Sequence, residues 1–209
     1  MSGAALLTIA KAPVAGRSKT RLCPPCTPAQ AATLAEAALA DTLAAVAATP
    51  AARRLLVLDG APGDWLPPGF EVFPQCEGDL GDRLAGAFHV ADGPAVLVGM
   101  DTPQLTPARL GAAVAELDRP GTDAVLGAAP DGGYWAIGLR RPSRAVFRGV
   151  PMSSAGTATA QRERLRALGL RWRELEPLRD VDTIADAREV ASLAPRSRFA
   201  EAMAALALT

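Results

Sequence analysis

Ala95-Val-Leu-Val98 is apolar at every position and stops abruptly at Gly99-Met-Asp-Thr-Pro103. A strand with one wet face alternates in polarity. A strand without a polar residue is buried on both faces, as in parallel sheets sandwiched between helices. Five more β-like runs fit the same sheet: residues 4–10, 54–58, 71–73, 122–128 and 170–175. Helical stretches separate them at 27–48, 79–91, 106–117, 155–168 and 183–193, with a short turn of helix at 144–147 and a last amphipathic helix at 198–208. Thr27-Pro28 and Thr106-Pro107 each place an N-cap before a first-turn proline. Thr183 and Asp186 have the spacing of a capping box. Asp131-Gly-Gly133 followed by Tyr134-Trp135-Ala-Ile-Gly-Leu139 predicts a turn into a strand running back, antiparallel to its neighbour. The adjacent aromatics of that strand face opposite ways, one to the core and the other to a pocket. Strands alternating with helices over residues 1–209 predict one α/β domain, a mostly parallel sheet with helices on both faces.

The first strand runs into Lys11-Ala-Pro-Val-Ala-Gly-Arg-Ser-Lys-Thr-Arg-Leu22. Lys11, Arg17, Lys19 and Arg21 repel one another unless an anion sits among them. Gly16 lets the backbone approach a ligand, and successive N–H groups in such a loop can form an anion-binding concavity. Strand, basic glycine-containing loop, then helix is a phosphate-site arrangement; the alternative is a solvated basic loop. Either way the loop is expected to be exposed. It matches neither the P-loop nor the dinucleotide-binding pattern.

Composition narrows the ligand. The chain has 22 basic and 22 acidic residues, with no net charge, whereas a nucleic-acid binder carries a basic excess. The basic cluster therefore points to a small anion, not a polymer. No run approaches the ~20 apolar residues of a membrane span. The N-terminus lacks the pattern of a signal peptide, so a cytoplasmic protein is expected. Oligomeric state is not legible. Cys23-Pro-Pro-Cys26 has redox or zinc spacing, but a zinc site wants four ligands and only Cys76 and His89 remain. The pair is read as incidental.

Carboxylates fall at strand ends. Asp101 follows the apolar 95–98 run, and Asp182 lies at the junction between the last strand and its helix. Open α/β sheets bind ligands outside the carboxyl ends of their strands, so the two can converge on one ion. Without an ion, one of the pair should have a raised pKa. Gln75-Cys-Glu-Gly-Asp-Leu-Gly-Asp-Arg83 places Gly78, Asp79 and Arg83 around a helix start.

Five stretches taken together, 11–22, 75–83, 99–105, Asp131–Tyr134 and 180–183, resemble a family of small bacterial transferases. Its members are labelled glycosyltransferase-like or radical-SAM/selenodomain-associated. That family is similar to the nucleotide-diphospho-sugar transferase superfamily with its glycosyltransferase-A fold, and to 2-phospho-lactate guanylyltransferases. The resemblance covers nearly the whole chain. It implies a nucleotide or nucleotide-sugar donor, a small-molecule acceptor and Mg²⁺ or Mn²⁺ held by Asp101 and Asp182. It implies donor contacts from Lys11, Pro13, Gly16, Arg17, Lys19, Thr20, Arg21, Gln75, Gly78, Asp79 and Arg83. Asp131, Gly132, Gly133, Tyr134 and Ser153 would face the acceptor, and Lys19, Asp101 and Asp131 would take part in catalysis. Where many members carry Trp-Ser-Thr, this chain has Met152-Ser-Ser154, which keeps the Ser153 hydroxyl. Glycosyl transfer is the first reading. Nucleotidyl transfer from a triphosphate, favoured by four cations, is the alternative, and a non-catalytic nucleotide-binding module is the third.

Overall fold

The computed structural model describes residues 3–206. Among these residues seven strands form one sheet: β1 (Ala5–Lys11), β2 (Arg54–Asp59), β3 (Glu71–Pro74), β4 (Ala95–Val98), β5 (Ala124–Ala128), β6 (Tyr134–Leu139) and β7 (Trp172–Leu175). Their order across the sheet is β3-β2-β1-β4-β6-β5-β7. All neighbours are parallel except around β6, which runs antiparallel to both β4 and β5. The antiparallel return after Asp131-Gly-Gly133 is as the sequence predicts.

Among the described residues, six α-helices accompany the sheet: α1 (Pro28–Ala47), α2 (Leu80–Ala91), α3 (Pro107–Asp118), α4 (Thr157–Ala167), α5 (Ile184–Leu193) and α6 (Arg198–Ala205). The end of the 198–208 stretch, residues 207 and 208, lies outside the described residues. Thr27 and Gln30 close a reciprocal capping box on α1, and Thr183 and Asp186 do so on α5. Thr106 and Asp79 cap α3 and α2 through their side chains.

Alternation along the strands divides the core. Leu7, Leu55, Val57 and Leu97 join Leu84 and Phe88 of α2 on one face. Leu6, Val96 and Val98 join Leu110 and Val114 of α3 on the other, and Leu56 and Leu58 meet Leu39 and Leu43 of α1. With helices over both faces, β4 has no polar position to offer. Gly127 is required where Trp135 crosses it, because a Cβ there would lie 2.4 Å from the indole nitrogen. Trp135 is buried among the residues beside α3, while Tyr134 packs on the opposite face.

Two strands start later than the sequence suggests. Leu170 belongs to the end of α4: Gly169 takes φ 68°, its N–H reaches Arg166 O at 3.0 Å, and Leu170 N–H reaches Leu165 O at 3.0 Å. That is a Schellman motif, and it holds Leu170 back from β7. Thr122 likewise stays in the preceding turn, its N–H on Arg119 O at 3.1 Å.

Candidate functional site

The chain leaves β1 in one direction, toward α1 and β2, while β4 lies on the other side of β1. This is the point in an open sheet where a crevice forms beyond the strand ends. A cleft of about 940 Å³ opens there, lined by residues from all five motif stretches.

The basic loop is folded by its own serine. Ser18 Oγ accepts from Val14 N–H at 3.0 Å and donates to Ala12 O at 3.2 Å. Arg17 and Ser18 N–H both reach Val14 O at 3.0 Å. Lys19 follows in the left-handed region, φ 47° and ψ 41°, and a single turn of 3₁₀ helix at Thr20–Leu22 sinks Leu22 into the core. Lys19 is thereby turned inward. Its Nζ donates to Asp101 Oδ2 at 2.7 Å, to Asp182 Oδ1 at 3.2 Å and to the Val181 carbonyl. Only 11% of its side chain is exposed, so the expectation of an exposed loop fails at this residue. Burial opposes its charge, but Asp101 and Asp182 outweigh burial and hold the pKa above the ordinary lysine value. Arg21 pairs with Asp182 Oδ2 at 3.0 Å. Lys11 and Arg17 line the cleft without an ion pair among the described residues.

The carboxylates are presented by two segments that hold each other. Asp101 follows β4, and its carbonyl accepts from Val181 N–H at 3.0 Å. Residues 176–183 cross the ends of β5 and β4. Leu178 N–H bonds Ala128 O at 3.2 Å, and Gln104 donates to the Arg179 carbonyl. Arg179 is itself clamped by Asp186 and Glu189, both at 2.9 Å. Oxygens of Asp101, Asp180 and Asp182 consequently lie within 4.8 Å of one another.

Asp180 is the residue that sequence reasoning passed over. Burial first, then the charges of Asp101, Asp131 and Asp182, push its carboxyl up to about 7. Lys19 and Arg21 pair with Asp101 and Asp182, whereas no cation pairs with this third carboxylate among the described residues. The i, i+2 spacing of Asp180 and Asp182 in an extended segment was the available signal, since it puts both on one side. Three hard oxygen donors converging on one point suit a divalent cation such as Mg²⁺ or Mn²⁺.

On the far side of β1, Gln75 Nε2 donates to Ala10 O at 2.7 Å and to Val57 O at 3.3 Å. Arg83 reaches Gln75 Oε1 at 3.1 Å, Asp59 Oδ2 at 3.2 Å and Gly78 O at 3.2 Å. Gln75, Gly78, Arg83 and Thr20 line the cleft, whereas Pro13, Gly16 and Asp79 do not. The Asp79 carboxylate is occupied as the α2 cap, accepting from Asp82 N–H at 2.9 Å.

The opposite wall is built by Asp131, Gly133, Tyr134 and the loop at Met152–Thr157. Asp131 Oδ1 accepts from Gly133 N–H at 2.8 Å. Gly132 stands behind the wall with φ 92°, where a Cβ would lie 1.9 Å from Ala155 O. Tyr134 offers its ring to the cleft, but its hydroxyl turns to Gln161 Oε1 at 3.4 Å, and burial raises its pKa. Ser153, at φ 55°, lines the cleft. Cys23 and Cys26 are free thiols away from it; Cys26 is buried among Leu22, Leu34 and Phe199.

No curated protein matches the chain. Among solved structures, a protein from Desulfovibrio desulfuricans G20 described as a "putative nucleotide-diphospho-sugar transferase" superposes with TM-score 0.87 at 28% identity, over 97% of this chain and 94% of that one. The 2-C-methyl-D-erythritol 4-phosphate cytidylyltransferase of Thermus thermophilus follows the same fold at TM-score 0.57 and 17% identity, over 93% of this chain and 100% of its own. Rv0371c of Mycobacterium tuberculosis H37Rv, in complex with manganese, does so at TM-score 0.51 and 20% identity, over 91% and 99%. The fold is therefore that of the nucleotide-diphospho-sugar transferases. Residues 31–154, more than half of the chain, match the model of a bacterial family described as "Uncharacterized protein conserved in bacteria (DUF2064)", and the chain belongs to that family.

Proposed function

We propose that the protein is a metal-dependent transferase that uses a nucleotide-activated donor, and that it transfers a glycosyl group from a nucleotide sugar to a neutral hydroxyl acceptor. The observation that carries this reading is the asymmetry of the cleft. One wall holds Lys11, Arg17, Lys19 and Arg21 beside three carboxylates, while the wall from Asp131 to Thr157 contributes a carboxylate and hydroxyls to the lining but no lysine or arginine. The first wall suits a metal-bound diphosphate. The second suits a neutral alcohol, and it lacks the cations that a phosphorylated acceptor would need.

Asp101, Asp180 and Asp182 would hold the ion, and when bound it would neutralise charge on the departing diphosphate. Lys11 and Arg17 would bind the phosphates, with Arg83 and Gly78 beside the nucleoside. Asp131, fixed by the Gly133 N–H, would take the proton of the acceptor hydroxyl as its oxygen bonds the anomeric carbon. The bond from that carbon to the phosphate oxygen breaks, and the nucleoside diphosphate leaves. Alignment of the acceptor against the donor supplies much of the acceleration.

Nucleotidyl transfer is the second reading, favoured by the density of cations on one wall. Its support is reduced because Arg21 is already engaged by Asp182. The discriminating experiment incubates the protein and Mn²⁺ with nucleotide sugars or nucleoside triphosphates and a panel of small alcohols. Release of nucleoside diphosphate with appearance of a glycoside is expected. Pyrophosphate released from a triphosphate, with nucleotide sugars inert, would replace the first reading by the second.

A further inference from the structure

Of the 22 basic residues, only Lys11 and Lys19 are lysines; the rest are arginines. Lysine carries a compact point charge on a flexible stem, whereas arginine presents a rigid planar fork. Lys19 is aimed by an uncommon backbone, φ 47° and ψ 41°, which residues other than glycine seldom adopt. Its ammonium sits at 2.7 Å from Asp101 and 3.2 Å from Asp182, and these carboxylates belong to the same convergent group as Asp180. A divalent ion bonded to oxygens of Asp101 and Asp182 at ~2.1 Å would lie in the gap that the ammonium now fills. Two cations cannot share it.

We propose that the Lys19 ammonium is the resident counter-ion of this site: a divalent cation entering between Asp101 and Asp182 displaces it, and the released ammonium becomes a ligand for the donor's phosphates. The proposal rests on the reading of the cleft as a metal and nucleotide site. It gives Lys19 two successive positions. In the first it keeps the carboxylates together while no metal is bound. In the second it joins Lys11 and Arg17, which lack ion-pair partners among the described residues. Metal entry thereby supplies the phosphate cradle with one more cation at the moment the donor needs it. The competing arrangement is a permanent ion pair, in which Lys19 stays on Asp101 and Asp182 and gains nothing from metal.

The test uses Mn²⁺ alone as probe. Electron paramagnetic resonance measures Mn²⁺ binding to the wild-type protein and to Lys19→Met without nucleotide. Removing a competing cation should tighten Mn²⁺ binding about tenfold, within the usual range of coupling between two ligands. Equal or weaker binding in the variant would overturn the proposal. A second measurement needs no variant. Acetic anhydride acylation followed by mass spectrometry reads Lys19 against Lys11 as internal reference, and Mn²⁺ should expose Lys19 to the reagent while leaving Lys11 unchanged. Lys19 protection that persists at saturating Mn²⁺ would also overturn it, and this arm decides if Lys19→Met does not fold. The two readings fail differently. Equal Mn²⁺ affinity in both proteins defeats only the displacement; no Mn²⁺ binding in either, even with a nucleotide sugar present, defeats the functional reading as well.

Discussion

Asp101 shows how one residue's role changes once its partner is known. Two carboxylates facing each other would make Asp101→Asn a relief of repulsion, and the apo protein would gain stability. In the fold Asp101 instead meets the ammonium of a nearly buried lysine. Asp101→Asn should therefore lower apo stability by about 1–3 kcal/mol, below the 3–5 kcal/mol of a fully buried broken pair because this carboxylate retains some solvent contact. Chemical denaturation checks the stability, and calorimetry with and without Mn²⁺ checks the expected loss of metal-dependent nucleotide binding. Cys26 makes the converse case. Its side chain is buried in the cluster that also holds Leu22, Leu34 and Phe199, so Cys26→Ser should cost about 1–3 kcal/mol for a poorly partnered hydroxyl while nucleotide binding stays unchanged. Stoichiometric zinc in the purified protein, lost in that variant, would contradict this packing role.

At the scale of elements, the site depends on segments that have little regular structure of their own. Residues 176–183 are tied down by Gln104, by Ala128 O and by the Arg179 clamp. The cap of α5 completes the anchoring, since Thr183 accepts from Asp186 N–H immediately after Asp182. Thr183→Ala should cost about 1 kcal/mol, the usual worth of an N-cap. It should weaken Mn²⁺ binding as well, which a cap remote from the site would not do; urea titration and Mn²⁺ titration of the same variant separate the two effects. On the opposite wall, Gly132→Ala forces a Cβ against Ala155 O in a left-handed backbone. That strain is of order 1–3 kcal/mol, and because it displaces the acceptor wall, steady-state kinetics should show a raised acceptor KM with the donor KM little altered.

For the whole molecule, the carboxylate cluster couples stability to pH. The Asp180 carboxyl stands at about 7 in the fold, against ~3.9 in an unfolded chain. The folded state holds this proton more tightly, so its contribution is complete below about pH 4 and is lost as pH rises through about 7. Thermal unfolding of the apo protein should show stability draining away over that window, and Asp180→Asn should flatten the profile. Mn²⁺ at pH 8 should restore what is lost, since it binds the charged form. An unchanged profile in Asp180→Asn would remove Asp180 from the cluster's electrostatics.

What the sequence determined by itself are properties written in local pattern. The unbroken apolar run of β4 required a sheet covered on both faces, and Thr27-Pro28, Thr106-Pro107 and Thr183 marked helix starts because caps use neighbouring backbone. Asp131-Gly-Gly133 announced the antiparallel β6 for the same reason. The tertiary structure alone decided which charges meet. Lys19 lies 82 residues from Asp101 and 163 from Asp182, and no pattern within the loop distinguishes an inward lysine from its outward neighbours. That distinction depends on the Ser18 turn, on the left-handed Lys19 backbone and on Val181 being held across the end of β4. Charges in a cluster are sorted by the low-dielectric space they share, and that space exists only after strands from distant parts of the chain have paired.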